Sequence, residues 1–328
     1  MEYTNLSAGS TLRISRLVFG CEPLGGTDWG AVDIPAVKAA AIAAWDSGIN
    51  CFDTAPVYGL GESERNLRDA LGSRIKDAVV STKIGLSWIS RGTGGRACVY
   101  RDARPASIQR SVEDSLRRLG VERLALVFIH WPDPGAPLED TMEALSRLRE
   151  QGKIGEIGVS NFAPEQIRRA HRLMALSTAQ VQYSLLRRES AVEIVPTCRS
   201  FGVGVMAWGV LAQGLLTGKY SSDTQFAAND RRRVHPNFDS INRERCSSLA
   251  AKLRTVSERH AALPAQVAIR WALDQPGVCA GIVGIKTRDQ LRDMLAAADL
   301  RLDAEDYLAL EADSASDGIT ATENANAN

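Results

Sequence analysis

The chain lacks what several classes of function require. Lys plus Arg and Asp plus Glu both number 39 in 328 residues, so neither sign is in excess. Nucleic acids and anionic membranes call for a basic surplus, and neither is an expected partner. No C-x-x-C pair occurs among Cys21, Cys51, Cys98, Cys198, Cys246 and Cys279. Thiols scattered in this way, with Cys51 inside an apolar run, read as reduced filler rather than a zinc or disulfide framework, and no metal site is expected. No window reaches the ~18 uncharged apolar residues of a spanning helix, and Met1 to Arg13 shows no basic start followed by an apolar stretch. The expected location is therefore the cytoplasm. A dinucleotide fingerprint is also missing. The glycines between Gly20 and Gly30 are interrupted by Pro23 and Asp28 and open no helix, which argues against a doubly wound sheet.

What is present suits a soluble enzyme: hydrophobic residues make up 45% and charged residues 24%, enough for a large core. From about residue 16, short β-type runs alternate with helical segments. Strands are expected at Leu17–Phe19, Asn50–Asp53, Ala78–Lys83, Ala125–His130, Gly155–Ser160, Ala179–Gln182, Val203–Trp208 and Ala280–Val283. Helices are expected near 34–48, 62–72, 105–120, 138–152, 164–175, 189–201, 243–260 and 264–275, several with boundary signals such as Pro105 at a first turn and Gly120 and Gly152 at ends. Parallel strands each feeding a helix close most naturally into a (β/α)₈ TIM barrel, here a single domain over residues 1–313. Two connections, Ile84 to about Arg104 and Gly209 to about Ile241, exceed ordinary βα loops and are expected to serve the site at the C-terminal face. Residues 314–328 read as a flexible tail.

Active sites in such barrels assemble at the C-terminal ends of the strands. Those ends carry Asp53, Lys83, His130, Ser160 with Asn161, Gln182, Trp208, and Gly284 with Lys286 close behind. Singly, each has an ordinary explanation: a cap, a surface charge, a structural imidazole, a core ring. Their joint position on one rim points to chemistry, and Asp53 is followed five residues later by Tyr58.

The run Gly48 to Gly59 (GINCFDTAPVYG), followed by Glu62-Ser63-Glu64, resembles the signature of the aldo-keto reductase superfamily. Similar likenesses occur at Ser81-Thr82-Lys83, Leu126 to Pro132, Gly152 to Phe162 and Gly214 to Tyr220, in the family's order. The likeness spans about residues 12–312, and its look is nearer the potassium-channel-β-like branch than the aldose-reductase branch. It implies a catalytic tetrad of Asp53, Tyr58, Lys83 and His130. Reducing a carbonyl builds negative charge on its oxygen, which needs a proton donor. Tyr58 would be that donor, Lys83 would bring the phenol closer to its working range, Asp53 would hold Lys83, and His130 would orient the carbonyl. The resemblance further implies NADPH/NADP+ as cofactor. Ser160, Asn161 and Gln182 would meet its carboxamide and Trp208 its nicotinamide ring, with Gly209 and Leu211 following in the same loop. Gly284, Lys286, Arg288 and Gln290 resemble the family's adenosine 2′-phosphate segment, with Lys286 in place of the usual arginine. The run Arg231 to Arg233 falls where relatives clasp the pyrophosphate. Trp29, Trp88 and Trp131 are expected to form an apolar substrate wall, and Arg91, Arg96 and Arg101 could attract an anionic substrate.

The expected function is NADPH-dependent reduction of an aldehyde or ketone, by a monomer or weak oligomer acting on a small-molecule carbonyl compound. The competing expectation is a nicotinamide-binding regulatory subunit of the channel-β type with little turnover. A start of the barrel within about 15 residues of Met1 leaves no room for an N-terminal inactivating extension, which argues against it.

Overall fold

A computed structural model describes residues 1–89, 97–220, 224–238 and 240–312, with side chains undescribed over 240–246. The eight expected strands are all present: β1 (Leu17–Gly20), β2 (Cys51–Asp53), β3 (Val79–Ile84), β4 (Leu124–Ile129), β5 (Ile154–Ser160), β6 (Thr178–Gln182), β7 (Gly204–Trp208) and β8 (Val278–Gly284). They close into a parallel barrel in chain order, with β8 pairing back onto β1 through Gly281–Leu17 and Gly284–Gly20. The helices are α1 (Ile34–Asp46), α2 (Glu62–Leu71), α3 (Pro105–Leu119), α4 (Leu138–Glu150), α5 (Pro164–Leu173), α6 (Ile194–Ser200), α7 (Ser240–Arg259), α8 (Pro264–Asp274), α9 (Arg288–Leu295) and α10 (Ala304–Glu311). Proline stands in the first turn of α1, α3, α5 and α8, where its missing N–H costs nothing, and Gly120 ends α3 with φ 68°.

Strand alternation sorts the apolar residues into two cores. One face of the strands, with Phe19, Phe52, Val127 and Val205, packs against the helices, which contribute Val37, Leu67, Ile108, Leu145, Ile167 and Trp271. The other face, with Val18, Cys51, Val79, Leu126, Phe128, Met206, Ala280 and Ile282, fills the barrel. Its N-terminal end is plugged by Leu6, Leu12 and Ile14 from a hairpin pairing Tyr3–Asn5 with Arg13–Ser15. The barrel is thus packed from below, and only its C-terminal mouth is left for chemistry.

The sequence pattern does not show this hairpin, α10, or a second hairpin pairing Leu86–Ile89 with Cys98–Arg101. The second hairpin occupies the first long connection. The stretch expected to be helical over 189–201 splits into a 3₁₀ turn at Glu189–Ala191 and α6. Five cysteines are free thiols, as expected, and Cys246 lies where side chains are not described. Arg91, Arg96 and the tail over 314–328 fall outside the described residues. Among those described, no helix is long and apolar enough to cross a membrane and no group of three or more His, Cys, Asp or Glu is placed to hold a metal.

Candidate active site

Asp53 is the last residue of β2, in register with Gly20 of β1 and Ser81 of β3. Lys83 follows Ser81 by two residues and so points into the same interior. Its ammonium reaches Asp53 Oδ2 at 2.6 Å and donates to the Thr54 carbonyl at 2.9 Å. Asp53 Oδ1 accepts from Ser81 Oγ at 2.8 Å and Gln180 Nε2 at 2.6 Å. The carboxylate is thus surrounded by donors, which is what a buried charge requires. Both partners are almost wholly buried, at 3% and 5% side-chain exposure.

The loop after β2 brings Tyr58 over this pair. Tyr58 N–H closes a turn on the Ala55 carbonyl, and its own carbonyl accepts from Ser63 N–H at 3.1 Å at the start of α2. The Ser63 hydroxyl lies 2.8 Å from Thr54 Oγ1 and donates to the Cys21 carbonyl at 2.7 Å. Gly59 is required here: it has φ 61°, and a Cβ would fall 2.1 Å from the Gly25 carbonyl oxygen. The loop's backbone is therefore pinned to the turn after β1. Behind it, fully buried Glu64 accepts from Thr82 Oγ1 at 2.7 Å and pairs with Arg118, fixing α2 to β3 and α3.

Lys83 Nζ lies 5.0 Å from the centroid of the Tyr58 ring, and the His130 ring stands edge-on to Tyr58 at 6.1 Å and 89°. The four residues of the implied tetrad thus meet at one point. Burial pushes the Tyr58 phenol up to about 12, with Lys83 pulling downward against burial, Glu22 and Asp53. The sequence reading gave Lys83 the decisive influence. Its direction is as expected, but removal from water outweighs it, and the phenol stays protonated through the physiological range. Burial works against the Lys83 charge too, yet Asp53 and Tyr58 hold the ammonium above its ordinary range. Burial, aided by Lys83, keeps His130 well below the usual imidazole value, so this ring is neutral.

The remaining expected residues divide between two rims. Ser160 is buried in register with Gln180, and Asn161, with φ 61°, donates to the His130 carbonyl at 2.9 Å and to Ser160 Oγ at 3.1 Å. Gln182 pairs in register with Trp208, and its side chain lies over Gly209. Gln180, not Gln182, reaches Asp53. The strand Thr178-Ala179-Gln180-Val181-Gln182 alternates, so Gln180 shares a face with Gln182 but stands mid-strand, away from the ends that mark the other candidates. Leu211 packs against the core beside the 3₁₀ turn Ala212–Thr217.

Trp29, expected in the substrate wall, lies in the loop after β1. It bridges to Asp230 in the segment 224–238, a strap laid from β7 across to the loop after β1. Three cations surround its ring: Arg232 at 5.4 Å, Lys286 at 5.5 Å and Arg231 at 5.7 Å. Lys286 donates to the Trp29 carbonyl at 3.2 Å, and its ammonium is depressed by burial and by nearby Arg232. Its backbone N–H donates to Gln290 Oε1, Thr287 caps α9, and Arg288 is exposed, with Nε 3.4 Å from the Ala39 carbonyl. Trp88 and Trp131 stay on the other side, Trp88 within the second hairpin and Trp131 under the Arg101 guanidinium at 5.5 Å.

These residues fit a nicotinamide dinucleotide. The buried indole N–H groups of Trp29 and Trp208 have no acceptor among the described residues. Gly284 ends β8 without a side chain to block the rim, and the basic groups near Trp29 suit a phosphate.

Barrel, rim and buried Lys–Asp pair together suit a carbonyl oxidoreductase. The model of the Aldo/keto reductase family matches residues 16–314, and the chain belongs to that family. It is 34% identical over 313 residues to the aldo-keto reductase YhdN of Bacillus subtilis, covering 93% of this chain and 91% of that protein. A probable aldo-keto reductase of Glycine max is 31% identical, covering 89% of this chain and 83% of that protein. Among solved structures, a glycerol dehydrogenase of Gluconobacter oxydans superposes with a TM-score of 0.88 at 35% identity, covering 98% of each chain.

Proposed function

We propose that this protein is an NADPH-dependent reductase of aldehydes or ketones in which Tyr58 delivers the proton. One observation carries the reading: Lys83, held 2.6 Å from Asp53, lies under the Tyr58 ring with neutral His130 edge-on beside it. A cofactor bound along Trp208 would supply the reducing equivalents. His130 donates a hydrogen bond to the substrate oxygen from an uncharged ring, which orients the carbonyl. As negative charge builds on that oxygen, the phenol gives up its proton, and the Lys83 ammonium stabilises the phenolate left behind. Asp53 keeps Lys83 charged and aimed. Ser160, Asn161 and Gln182 offer a carboxamide both donors and acceptors, and Lys286 with its basic neighbours supports a preference for the 2′-phosphorylated cofactor. The glycerol dehydrogenase among the neighbours supports an alcohol–carbonyl couple here.

The test is turnover of a reactive aldehyde by Tyr58→Phe. Loss of general-acid help predicts a kcat about 10²–10⁴-fold lower, with the dissociation constant for NADPH unchanged. Wild-type turnover in that variant, with NADPH still bound, would reject Tyr58 as donor. Titration of wild type with NADPH and NADH in parallel checks the cofactor preference, and failure to bind either would sink the reductase reading itself.

A further inference from the structure

The loop that carries Tyr58 does not hold its shape by local preference. Gly59, Leu60 and Gly61 all lie in the left-handed region, and Leu60, at φ 55°, is there at a steric cost that glycine avoids. Contacts outside this stretch must keep the loop closed, and its neck is closed by two hydroxyls. Thr54 at the start and Ser63 at the end, nine positions apart in the chain, place their hydroxyl oxygens 2.8 Å apart, and both residues are fully buried. Ser63 has one hydroxyl proton, which goes to the Cys21 carbonyl at 2.7 Å, so Thr54 is the donor within the pair. Through its backbone, each partner also touches a group that the proposed mechanism uses. The Thr54 carbonyl accepts from the Lys83 ammonium at 2.9 Å, and the Ser63 N–H donates to the Tyr58 carbonyl at 3.1 Å. One hydroxyl–hydroxyl bond thus joins the residue that holds Lys83 to the residue that holds Tyr58. The Thr54 N–H donates to the Ser81 carbonyl of β3 at 2.8 Å, which makes that side of the neck part of the barrel itself.

We propose that Thr54 and Ser63 are positioning residues for the proton transfer: their hydroxyl bond fixes where Tyr58 stands relative to Lys83 and His130, and so sets kcat. The inference rests on the reductase reading above. A proton donor must stand within hydrogen-bond reach of the atom it serves, and a misplacement of about 1 Å that originates away from the chemistry lowers the rate by about 10²-fold. Removing one hydroxyl leaves its partner buried and unmatched, because water does not reach either side chain. Opening the neck relieves that cost and carries Tyr58 away from Lys83. Neither hydroxyl bonds to a residue assigned above to the cofactor, so cofactor affinity is expected to stay as it is.

The experiment compares Thr54→Val, which keeps the branched shape and removes the hydroxyl, with Thr54→Ser, which keeps the hydroxyl and removes a methyl. Turnover of propanal is expressed per NADPH-binding site, so that misfolded protein does not count. Thr54→Val is expected to lower kcat about tenfold or more, with the dissociation constant for NADPH within about twofold of wild type, and Thr54→Ser to recover most of that loss. Ser63→Ala breaks the same bond from the other side and should match Thr54→Val. Combining the two should lower kcat no further than either does alone, as expected of groups that act as a unit. Should Thr54→Val fail to fold, Ser63→Ala carries the test with the same expected loss. A kcat within about twofold of wild type in the hydroxyl-free variant overturns the inference. So do an equal loss in Thr54→Ser and Thr54→Val, losses that multiply in the double variant, and a loss that falls on the NADPH dissociation constant instead of kcat. All of these leave the reductase reading standing, whereas a wild type that turns over no propanal overturns both.

Discussion

Charged clusters sit at both ends of this barrel, and they are built differently. At the C-terminal mouth, Asp53 and Lys83 are almost wholly buried, and the ammonium faces a phenol and an imidazole. At the N-terminal end, Glu2 gathers Arg16 at 3.3 Å, Arg270 at 3.2 Å and Arg301 at 3.4 Å, while Arg270 also holds Asp274. There the carboxylates keep about a third of their exposure, and Asp274 also accepts from the Tyr307 hydroxyl at 2.6 Å. Arg16 and Arg270 tie the start of the chain to β8 and α8, with Arg16 donating to the Cys279 and Val278 carbonyls. The same ionic chemistry thus serves as a fastener at one end and, stripped of water and set beside Tyr58, is proposed to act as a tuning device at the other.

The sharpest way to break this comparison is Lys83→Met. It removes the cation proposed to stabilise the phenolate and leaves Asp53 buried with only neutral donors. Activity is expected to fall by about 10³-fold or more, and stability by about 3–5 kcal/mol, the usual cost of breaking a buried pair from one side. Chemical denaturation and single-turnover kinetics on the same preparation would measure both. A variant that lost activity with unchanged stability would mean that the pair is solvated after all, and that the mouth is no different in kind from the bottom.

How much of this contrast could be read beforehand follows from local pattern. The eight strands were legible because short apolar runs recur between helical segments, and Asp53, Lys83 and His130 stood out because each lies at a strand end, whereas the place of Tyr58 beside them came from the family resemblance. Gln180 lay mid-strand, yet the alternation of Thr178, Gln180 and Gln182 already put all three on one face, so the signal was available. Glu22 and Asp230 had no such signal, since their contacts with Arg231 and Trp29 arise from two loops meeting across the mouth. The same holds for Trp29, whose three cationic neighbours come from the strap and from the end of β8. The hairpins escaped because their short strands are partly exposed and mix polar with apolar residues, unlike the wholly buried β1 and β2 of similar length. Neighbouring charge could be anticipated for Tyr58, but burial could not, and burial sets the direction of its shift.

A smaller effect is expected from Arg270→Met at the bottom. The Arg270 side chain is 3% exposed, but Asp274 and Glu2 regain water more easily than Asp53 would. Stability should drop by about 2 kcal/mol, below the full cost of an unpaired buried charge. The kcat/KM of the folded fraction should stay within about twofold of wild type, because the packed interior of Val18, Leu126, Phe128 and Met206 separates this cluster from the mouth. A large loss of kcat/KM with the fold intact would show that the two ends are coupled.

The smallest effect concerns pH, and it tests how dry the mouth is. His130 is held well below the ordinary imidazole value by burial and Lys83, and His235 in the strap is lowered to about 4 by burial, Arg231 and Arg187. Each binds its proton more readily in the unfolded chain, where the value is about 6.5. Below that pH the unfolded state takes up more protons than the folded one, so the stability these residues provide is complete above about 6.5 and is lost progressively towards pH 4. Activity behaves differently. His130 is already neutral and the phenol, at about 12, is still protonated, so neither changes state between pH 6 and 8. The kcat profile of wild type is therefore expected to vary by less than about twofold over that range. A break near pH 6.5 that disappears in His130→Gln would mean that this ring is solvated and charged in the working enzyme. The mouth would then have lost the dry environment that distinguishes it from the ionic cluster below.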